Sequence, residues 1–328
     1  MKKLLVLCTV LAAVLASCAQ PEKVSDGQFG PYTVDTIIDN VYHIQDCNDA
    51  NPSGEEFDAE GNKTHFNNCS DMYLVVGKQK SLLIDLSNNV RWAEDAAGAL
   101  RKIVSDRIGD SRLTITFTHN HGDHTGMLYA FEDDPDVEFA LPEVDFRASE
   151  NRFPADRSSF YTDGFVFDLG GFTLTSLMVP GHTAGSMVFF LDGCDLLFSG
   201  DAIGSGHGTW IFNLEAFKSY VEGVNHLVDY IENESNHVNK NKLKVYAGHF
   251  WQKDWFEELG DDVFGMQYIY DMQELNAKIA DGTARTAPSN LGEGRMDTYF
   301  INGQAIVAWY ASQAEEYRNQ PPAGRLNL

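Results

Sequence analysis

The chain has 328 residues, and its 48 acidic residues against 24 basic residues give a formal charge of −24. This acidity argues against a nucleic-acid substrate, because binding to the phosphate backbone depends on Lys and Arg. The apolar content of 43% is sufficient for a hydrophobic core in one large domain or two modest ones.

The N-terminus has the pattern of an export signal. A short basic start, "MKK", precedes the 13-residue apolar run "LLVLCTVLAAVLA", which is too short to span a bilayer comfortably. The following "LASC" resembles a bacterial lipobox, which implies lipidation of Cys18; a plain secretory signal is the alternative. We expect a signal peptide over 1–17, a tether over 18–30 and a single domain over 31–328. By the same resemblance, Ala19 after the cysteine favours the outer membrane, so we expect an exported protein anchored by lipid in the bacterial cell envelope.

Two cysteines flank a long polar stretch. Cys47 and Cys69 enclose 21 residues without a hydrophobic period. In an oxidising compartment a disulfide between them would tie down this loop and contribute about 3 kcal/mol. Two unpaired thiols are the alternative.

The mature chain shows runs of strands interrupted by helices. Apolar residues at helical spacing predict amphipathic helices, and β-branched and aromatic runs bounded by turn residues predict strands. This order indicates two sheets covered by helices, and not a regular alternation of strand and helix. The predicted strands are 32–38, 41–45, 72–77, 81–87, 112–119, 137–142, 165–169, 172–180, 186–193, 195–203, 242–249, 298–303 and 305–310, and the predicted helices are 90–106, 143–151, 213–232 and 261–282.

One short stretch, "FTHNHGDHTGM" at 117–127, concentrates metal ligands. His119 and His121 lie two apart just past a strand, so their rings can project to one side. Asp123 and His124 follow Gly122, where the backbone can fold back tightly. Such a loop presents imidazoles and a carboxylate to one point from different directions, as zinc or iron coordination requires.

Three later positions repeat one arrangement, a strand that ends in a glycine-bearing turn with a ligand on it. His182 stands in "MVPGHTAGS", Asp201 in "LLFSGDAIGSG" and His249 in "VYAGHF".

HxHxDH followed in order by GH, GD and GH resembles the metallo-β-lactamase superfamily, over about residues 31 to 280. The resemblance implies an α/β fold of layered α+β type, an αββα sandwich with metals at the edge of its sheets.

The ligand set implied by this resemblance has two halves. The first metal would be held by His119, His121 and His182, the second by Asp123, His124 and His249, and Asp201 would bridge them. The implied cofactors are two zinc ions, with iron or manganese as alternatives. A hydroxide bridging the metals would be the nucleophile, and the catalytic Asp123 would orient it.

The resemblance also suggests supporting residues. Asp85, at the end of a predicted strand, is expected to orient the metal-binding loop. His207 and Trp210, on the glycine-rich loop after Asp201, are candidate substrate contacts.

These residues predict a binuclear zinc hydrolase of a small ester, thioester or lactone. The true β-lactamases of the superfamily generally carry cysteine or serine where this chain has Asp201, so the chain looks closer to glyoxalase II and the lactonases. The alternatives are a β-lactamase, a phosphodiesterase or sulfatase, a mononuclear iron persulfide dioxygenase, and a metal-binding surface protein without activity. The expected partner is a small-molecule substrate, with no nucleic acid and with membrane contact only through a lipid anchor.

Overall fold

The computed structural model describes residues 26–46, 69–91, 93–260, 262–289, 291 and 296–320. Cys18 and Cys47 lie outside these residues, so the lipidation and the disulfide stay predictions, as does the export signal. Among the described residues no helix combines the length and apolar character needed to cross a bilayer.

The first sheet has eight strands, paired in the order in which they follow along the chain. The first five pair antiparallel, and the last four pair parallel. A parallel pair needs a crossover connection, and α1 (Ala96–Ile108) provides it between the fifth and sixth strands. The strands are β1 (Gly27–Phe29), β2 (Tyr32–Ile38), β3 (Val41–Asp46), β4 (Asp71–Val76), β5 (Lys80–Ile84), β6 (Arg112–Thr116), β7 (Val137–Pro142) and β8 (Ser158–Tyr161).

The second sheet has five strands. Four of them form an antiparallel meander, and the fifth pairs parallel with the last strand of the meander at the edge of the sheet. The strands are β9 (Val166–Asp168), β10 (Thr173–Met178), β11 (Met187–Leu191), β12 (Leu196–Gly200) and β14 (Lys244–Ala247).

A third sheet, of four strands, is formed mainly by the C-terminal part of the chain. It pairs β13 (Thr209–Trp210), from the loop after β12, with β17 (Ala305–Trp309), and continues through β16 (Thr298–Asn302) to β15 (Arg285–Pro288). The sequence predicted only β16 and β17 of this sheet. The two-residue β13 carries no periodic pattern that could have predicted it.

The remaining α-helices are α2 (Gly122–Thr125), α3 (Glu143–Phe146), α4 (Leu214–Glu232), α5 (Met266–Asp281) and α6 (Ala311–Asn319), with short 3₁₀ turns after α3 and β14. α4 begins where the Asn213 side chain accepts a hydrogen bond from the Ala216 N–H at 2.9 Å, a standard N-cap. Its apolar residues from Phe217 to Ile231 recur at helical spacing and are buried against the second sheet.

One hydrophobic core lies between the two large sheets, and each sheet has another core on its outer face, against the helices. This is the layering expected for an αββα sandwich. Alternate residues of β4 divide between two of these cores: Tyr73 and Val75 face the second sheet, whereas Met72 and Leu74 face α1. Strands buried on both faces read as continuous apolar runs. The predicted sandwich is therefore confirmed.

Several boundaries differ from the prediction. Residues 27–29 of the predicted tether form β1, which pairs with β2 at the sheet edge. The helix predicted from 90 begins at Ala96, and the helix predicted over 143–151 is the short α3 followed by a 3₁₀ segment over Arg147–Arg152. The strand β8, rich in serine, was not predicted.

Candidate metal centre

The predicted metal-binding loop lies directly after β6. His121 has extended backbone (φ −66°, ψ 153°), and α2 begins at the next residue. The turn packs against residues 88–89, since a Cβ on Gly126 would lie 2.2 Å from the Asn89 nitrogen. Glycine is therefore required at 126, and it fixes how the loop folds back over the end of β5.

All seven predicted ligands converge at one edge of the two large sheets. Asp201 follows β12, His249 follows β14, and His182 lies between β10 and β11. Three sets of ligand atoms lie within 4.8 Å of one another: His119, His121 and His182; His119, His124 and Asp201; and Asp123, His124 and His249. We call the first set the three-histidine group and the last the Asp123 group.

Four of the ligand histidines have one ring nitrogen at hydrogen-bond distance from an oxygen atom. The Nδ1 atoms of His119 and His124 lie 3.0 Å from Thr118 Oγ1 and from Asp85 Oδ2, respectively. The Nδ1 atoms of His182 and His249 lie 3.2 Å from the Trp210 carbonyl and 2.7 Å from the Cys69 carbonyl. If Nδ1–H donates in each case, the tautomer is fixed and the lone pair of Nε2 faces the centre.

A bound metal would provide a partner for the ring nitrogens that face the centre. The Nε2 atoms of His119 and His124 are buried and make no hydrogen bond. Asp201 carboxylate oxygens lie 3.9 Å from His119 Nε2 and 3.4 Å from His124 Nε2. His121 Nδ1 and His182 Nε2 face each other at 2.9 Å. Because buried polar atoms are rarely left without a partner, this donor set fits a bound cation.

Asp201 lies between the two groups. Its Oδ2 is 3.4 Å from His182 Nε2 and 3.5 Å from His249 Nε2, one ligand from each group. Its Oδ1 accepts a hydrogen bond from Ser205 Oγ at 2.8 Å. A Cβ on Gly248 would lie 2.5 Å from Asp201 Oδ1, so the glycine allows β14 to approach the carboxylate.

Burial favours the neutral form of the three-histidine group. Burial lowers the pKa of His119, and the nearby His124 lowers it further. Burial likewise lowers the pKa of His121 and lowers that of His182 to about 4. Neutral imidazole is the form that binds a metal, so these rings need not lose a proton first.

The other half of the centre contains the carboxylates of Asp123 and Asp201. Burial lowers the pKa of His249, but the Asp201 and Asp123 carboxylates outweigh this effect and raise it to about 9. Burial opposes the charge of His124 too, yet Asp201 and Asp85 raise its pKa well above the ordinary value. These carboxylates attract a positive charge, which a divalent cation would supply in place of the protons.

Asp85 is hydrogen-bonded to the predicted metal-binding loop. Its Oδ1 accepts the Thr118 N–H at 2.7 Å, and its Oδ2 accepts the Thr118 hydroxyl at 2.7 Å. The same Oδ2 lies 3.0 Å from His124 Nδ1. This buried carboxylate connects the end of β5 to the ligand loop.

The two candidate substrate contacts lie on the loop after Asp201. His207 is buried, with its ring centroid 4.8 Å from that of Trp251. The Trp210 carbonyl faces His182, as described above, and the indole packs beside the third sheet. Their contact with substrate stays a prediction.

Phe212, two residues further along, was not in the predicted site set. Its side chain is 42% exposed, and its ring centroid lies 5.9 Å from that of His121 and 5.7 Å from that of His182. An exposed aromatic ring beside two metal ligands is a candidate substrate contact. The sequence signal for it was its place, with Trp210, among the aromatic residues that follow Asp201.

Two buried aspartates that touch the ligand loops were also missed. Asp145 bonds to the loops that carry His121 and His182, and Asp71 bonds to the segment that carries His249. Asp71 is the first residue of β4 and Asp145 lies in the short α3, and neither has a recognisable motif around it.

A sequence model of the metallo-beta-lactamase superfamily matches residues 70–249. Two curated relatives are fungal proteins named atrochrysone carboxyl ACP thioesterase. The one from Claviceps purpurea is 31% identical over 43% of this chain and 41% of its own length. The one from Aspergillus terreus is 28% identical over 43% and 40%. The chain thus spans about two fifths of the length of the curated relatives it matches. Their names agree with the prediction of a hydrolytic enzyme.

Solved structures show the same fold. A metallo-beta-lactamase from Pontibacter korlensis superposes with a TM-score of 0.52 and 19% identity, over 75% of this chain and 99% of that chain. At this identity the likeness extends to the fold alone. The match of the family model over more than half of the chain, together with the ordered ligand motifs, shows that this protein belongs to the metallo-beta-lactamase superfamily.

Proposed function

We propose that this protein is a binuclear zinc hydrolase that cleaves a thioester with an apolar acyl group. The observation that carries the proposal is the position of Asp201 between two groups of ligands. Each group offers three side chains. Four of the five histidines are oriented by a hydrogen bond between Nδ1 and an oxygen atom. A pair of zinc ions would suit this arrangement of nitrogen and carboxylate donors.

Zinc bound there would lower the pKa of a bound water to about 7 and would polarise the thioester carbonyl. The residues of the chain supply the rest. Asp123 is partly exposed, and its Oδ2 lies 3.5 Å from His249 Nε2, so it faces both the centre and solvent. We assign to this oxygen the acceptance of the proton from the attacking water.

The bonds and charges balance in this scheme. The water oxygen adds to the acyl carbon, the carbon–sulfur bond breaks, and the proton held at Asp123 passes to the leaving thiolate. The products are a thiol and a carboxylic acid, and the acid releases its remaining proton to solvent to give the carboxylate.

The apolar acyl group is inferred from Phe212. Its exposed ring and the nearby Trp210, whose ring centroid is 6.4 Å away, present aromatic surface next to the three-histidine group. An acyl chain bound with its carbonyl at the centre can cover this surface and remove it from water.

The thioester is preferred over the lactone and the simple ester because the two fungal relatives are named atrochrysone carboxyl ACP thioesterase. No described residue favours a β-lactam or a phosphodiester over these substrates.

The proposal is tested with zinc-loaded protein and a substrate panel. The panel contains acetyl and octanoyl thioesters, an octanoyl lactone, a chromogenic cephalosporin and a phosphodiester. We expect the highest kcat/KM with the octanoyl thioester, and loss of turnover with a chelator. A cephalosporin or phosphodiester cleaved faster than every thioester would contradict the proposal.

A further inference from the structure

A buried carboxylate outside the ligand set holds the segment that carries His249. Asp71, at the start of β4, is fully buried. Its Oδ2 accepts the Phe250 N–H at 2.7 Å, and its own backbone N–H donates to the Gly248 carbonyl at 2.9 Å. Asp71 therefore binds the residues on both sides of His249.

The other oxygen of Asp71 is also occupied. Oδ1 is hydrogen-bonded to His43 Nε2 and accepts from Gln45 Nε2 at 2.8 Å. The His43 ring packs between Tyr73 and Phe250, at centroid distances of 5.4 and 5.3 Å. With donors on both oxygens, the carboxylate has one orientation, and the Phe250 N–H is fixed by it.

The adjacent end of β4 binds the same segment. The Cys69 carbonyl faces His249 Nδ1 at 2.7 Å, and the Tyr73 hydroxyl donates to the Ala247 carbonyl at 2.5 Å. These contacts, with those of Asp71, set the position of His249 relative to the first sheet. Asp71 makes no hydrogen bond to a residue of the three-histidine group.

A second buried carboxylate holds the loops that carry the three-histidine group. Asp145, in α3, accepts the Asn120 N–H at 3.2 Å and the Thr183 hydroxyl at 2.6 Å on Oδ2. Its Oδ1 accepts the Gly185 N–H at 2.7 Å. Asn120 lies between two of the ligand histidines, and Thr183 follows His182, so Asp145 connects both loops of this group.

We propose that Asp71 and Asp145 are separate positioning residues, Asp71 for the Asp123 group and Asp145 for the three-histidine group. Each can therefore be altered to weaken one metal site and leave the other. This inference rests on the proposed two-metal site. Supporting residues of this kind typically change metal affinity by about 10- to 100-fold when they are replaced.

A double-mutant cycle on zinc affinity tests the assignment. Zinc binding to metal-free protein is measured by competition with a chromophoric chelator. The variants are Asp71→Asn and Asp145→Asn, each alone and combined with His249→Ala or His121→Ala, which remove one ligand from one group. Asp71→Asn and Asp145→Asn serve as each other's matched control.

We expect Asp71→Asn to weaken one of the two zinc sites about tenfold or more. The same loss should appear in the His121→Ala background, and less than about a twofold further loss in the His249→Ala background. Asp145→Asn should give the reverse pattern. Equal losses at both sites, or full additivity in both backgrounds, would show a merely structural role and overturn the inference.

Milder variants keep the test decisive should a replacement of a buried carboxylate prevent folding. His43→Leu removes a donor to Asp71, and Thr183→Val removes a donor to Asp145. Both leave the carboxylate in place, and both should show the same partition with smaller losses. Wild-type protein that binds fewer than two zinc ions would defeat the proposed two-metal function, and this inference with it. Two wild-type sites without the partition would defeat the inference alone.

Discussion

Replacement of Asp85 by asparagine should weaken metal binding without changing the backbone. Asp85 has a left-handed conformation, with φ +66°, which asparagine also tolerates. The carboxylate makes three hydrogen bonds, to the Thr118 N–H, the Thr118 hydroxyl and His124 Nδ1. An amide that keeps the first turns its NH₂ towards the other two, so the His124 Nδ1–H loses its acceptor.

The magnitude follows from the lost contact with His124, because the Thr118 hydroxyl can rotate and accept a hydrogen bond from the amide NH₂. A hydrogen bond to a charged group contributes about 1.5–3 kcal/mol, so we expect the free energy of unfolding to fall by about 2 kcal/mol. Because His124 also loses its orientation, zinc affinity should fall by about 10- to 100-fold. Urea unfolding of the metal-free protein measures the first quantity, and chelator competition measures the second.

Asp46→Asn is the matched control. Asp46 is equally buried and accepts hydrogen bonds from Ser70, Ser87 and Asn88, but from no ligand histidine. It should therefore lose stability and keep its zinc affinity. Zinc affinity of Asp85→Asn within about twofold of wild type, despite lowered stability, would refute the assigned role of the carboxylate.

Three further replacements have defined outcomes. Gly248→Ala would place a Cβ 2.5 Å from Asp201 Oδ1 and 2.7 Å from His124 Cε1. Turnover measured at saturating zinc should therefore fall by about 100-fold. A near-normal rate would contradict the close approach of Gly248 to these two ligands. Trp309→Ala removes a buried ring stacked on Phe217 at 4.4 Å; urea unfolding should show a loss of about 3–5 kcal/mol, and a loss below about 1 kcal/mol would contradict this packing. Phe212→Ala should raise KM for an octanoyl thioester several-fold and leave KM for an acetyl thioester unchanged; equal effects on both would argue against an acyl contact.

The fold class and the ligand set could be predicted because both depend on residue patterns within short stretches of the sequence. Continuous apolar strands mark sheets buried on both faces, and the ligands come after strand ends, four of them directly after a glycine. The family and the αββα sandwich are confirmed. The seven ligand positions converge as expected, although their metal coordination stays a prediction.

Other features depend on contacts between distant segments. His43 gave no local signal, yet it is hydrogen-bonded to Asp71 across two neighbouring strands. The Trp210 and Cys69 carbonyls act through the backbone, which residue type does not encode. The third sheet forms because β13 pairs with β17, about 100 residues later in the chain, and a pairing of this kind has no periodic signature.

The central claim is that this centre needs two metal ions for hydrolysis. Its most direct test is the addition of zinc to metal-free protein, with bound zinc and octanoyl-thioester hydrolysis measured in the same samples. We predict that activity rises until about two zinc ions are bound per chain, and that Asp201→Ala abolishes the second step. Full activity at one zinc ion per chain, or hydrolysis by the metal-free protein, would contradict the account.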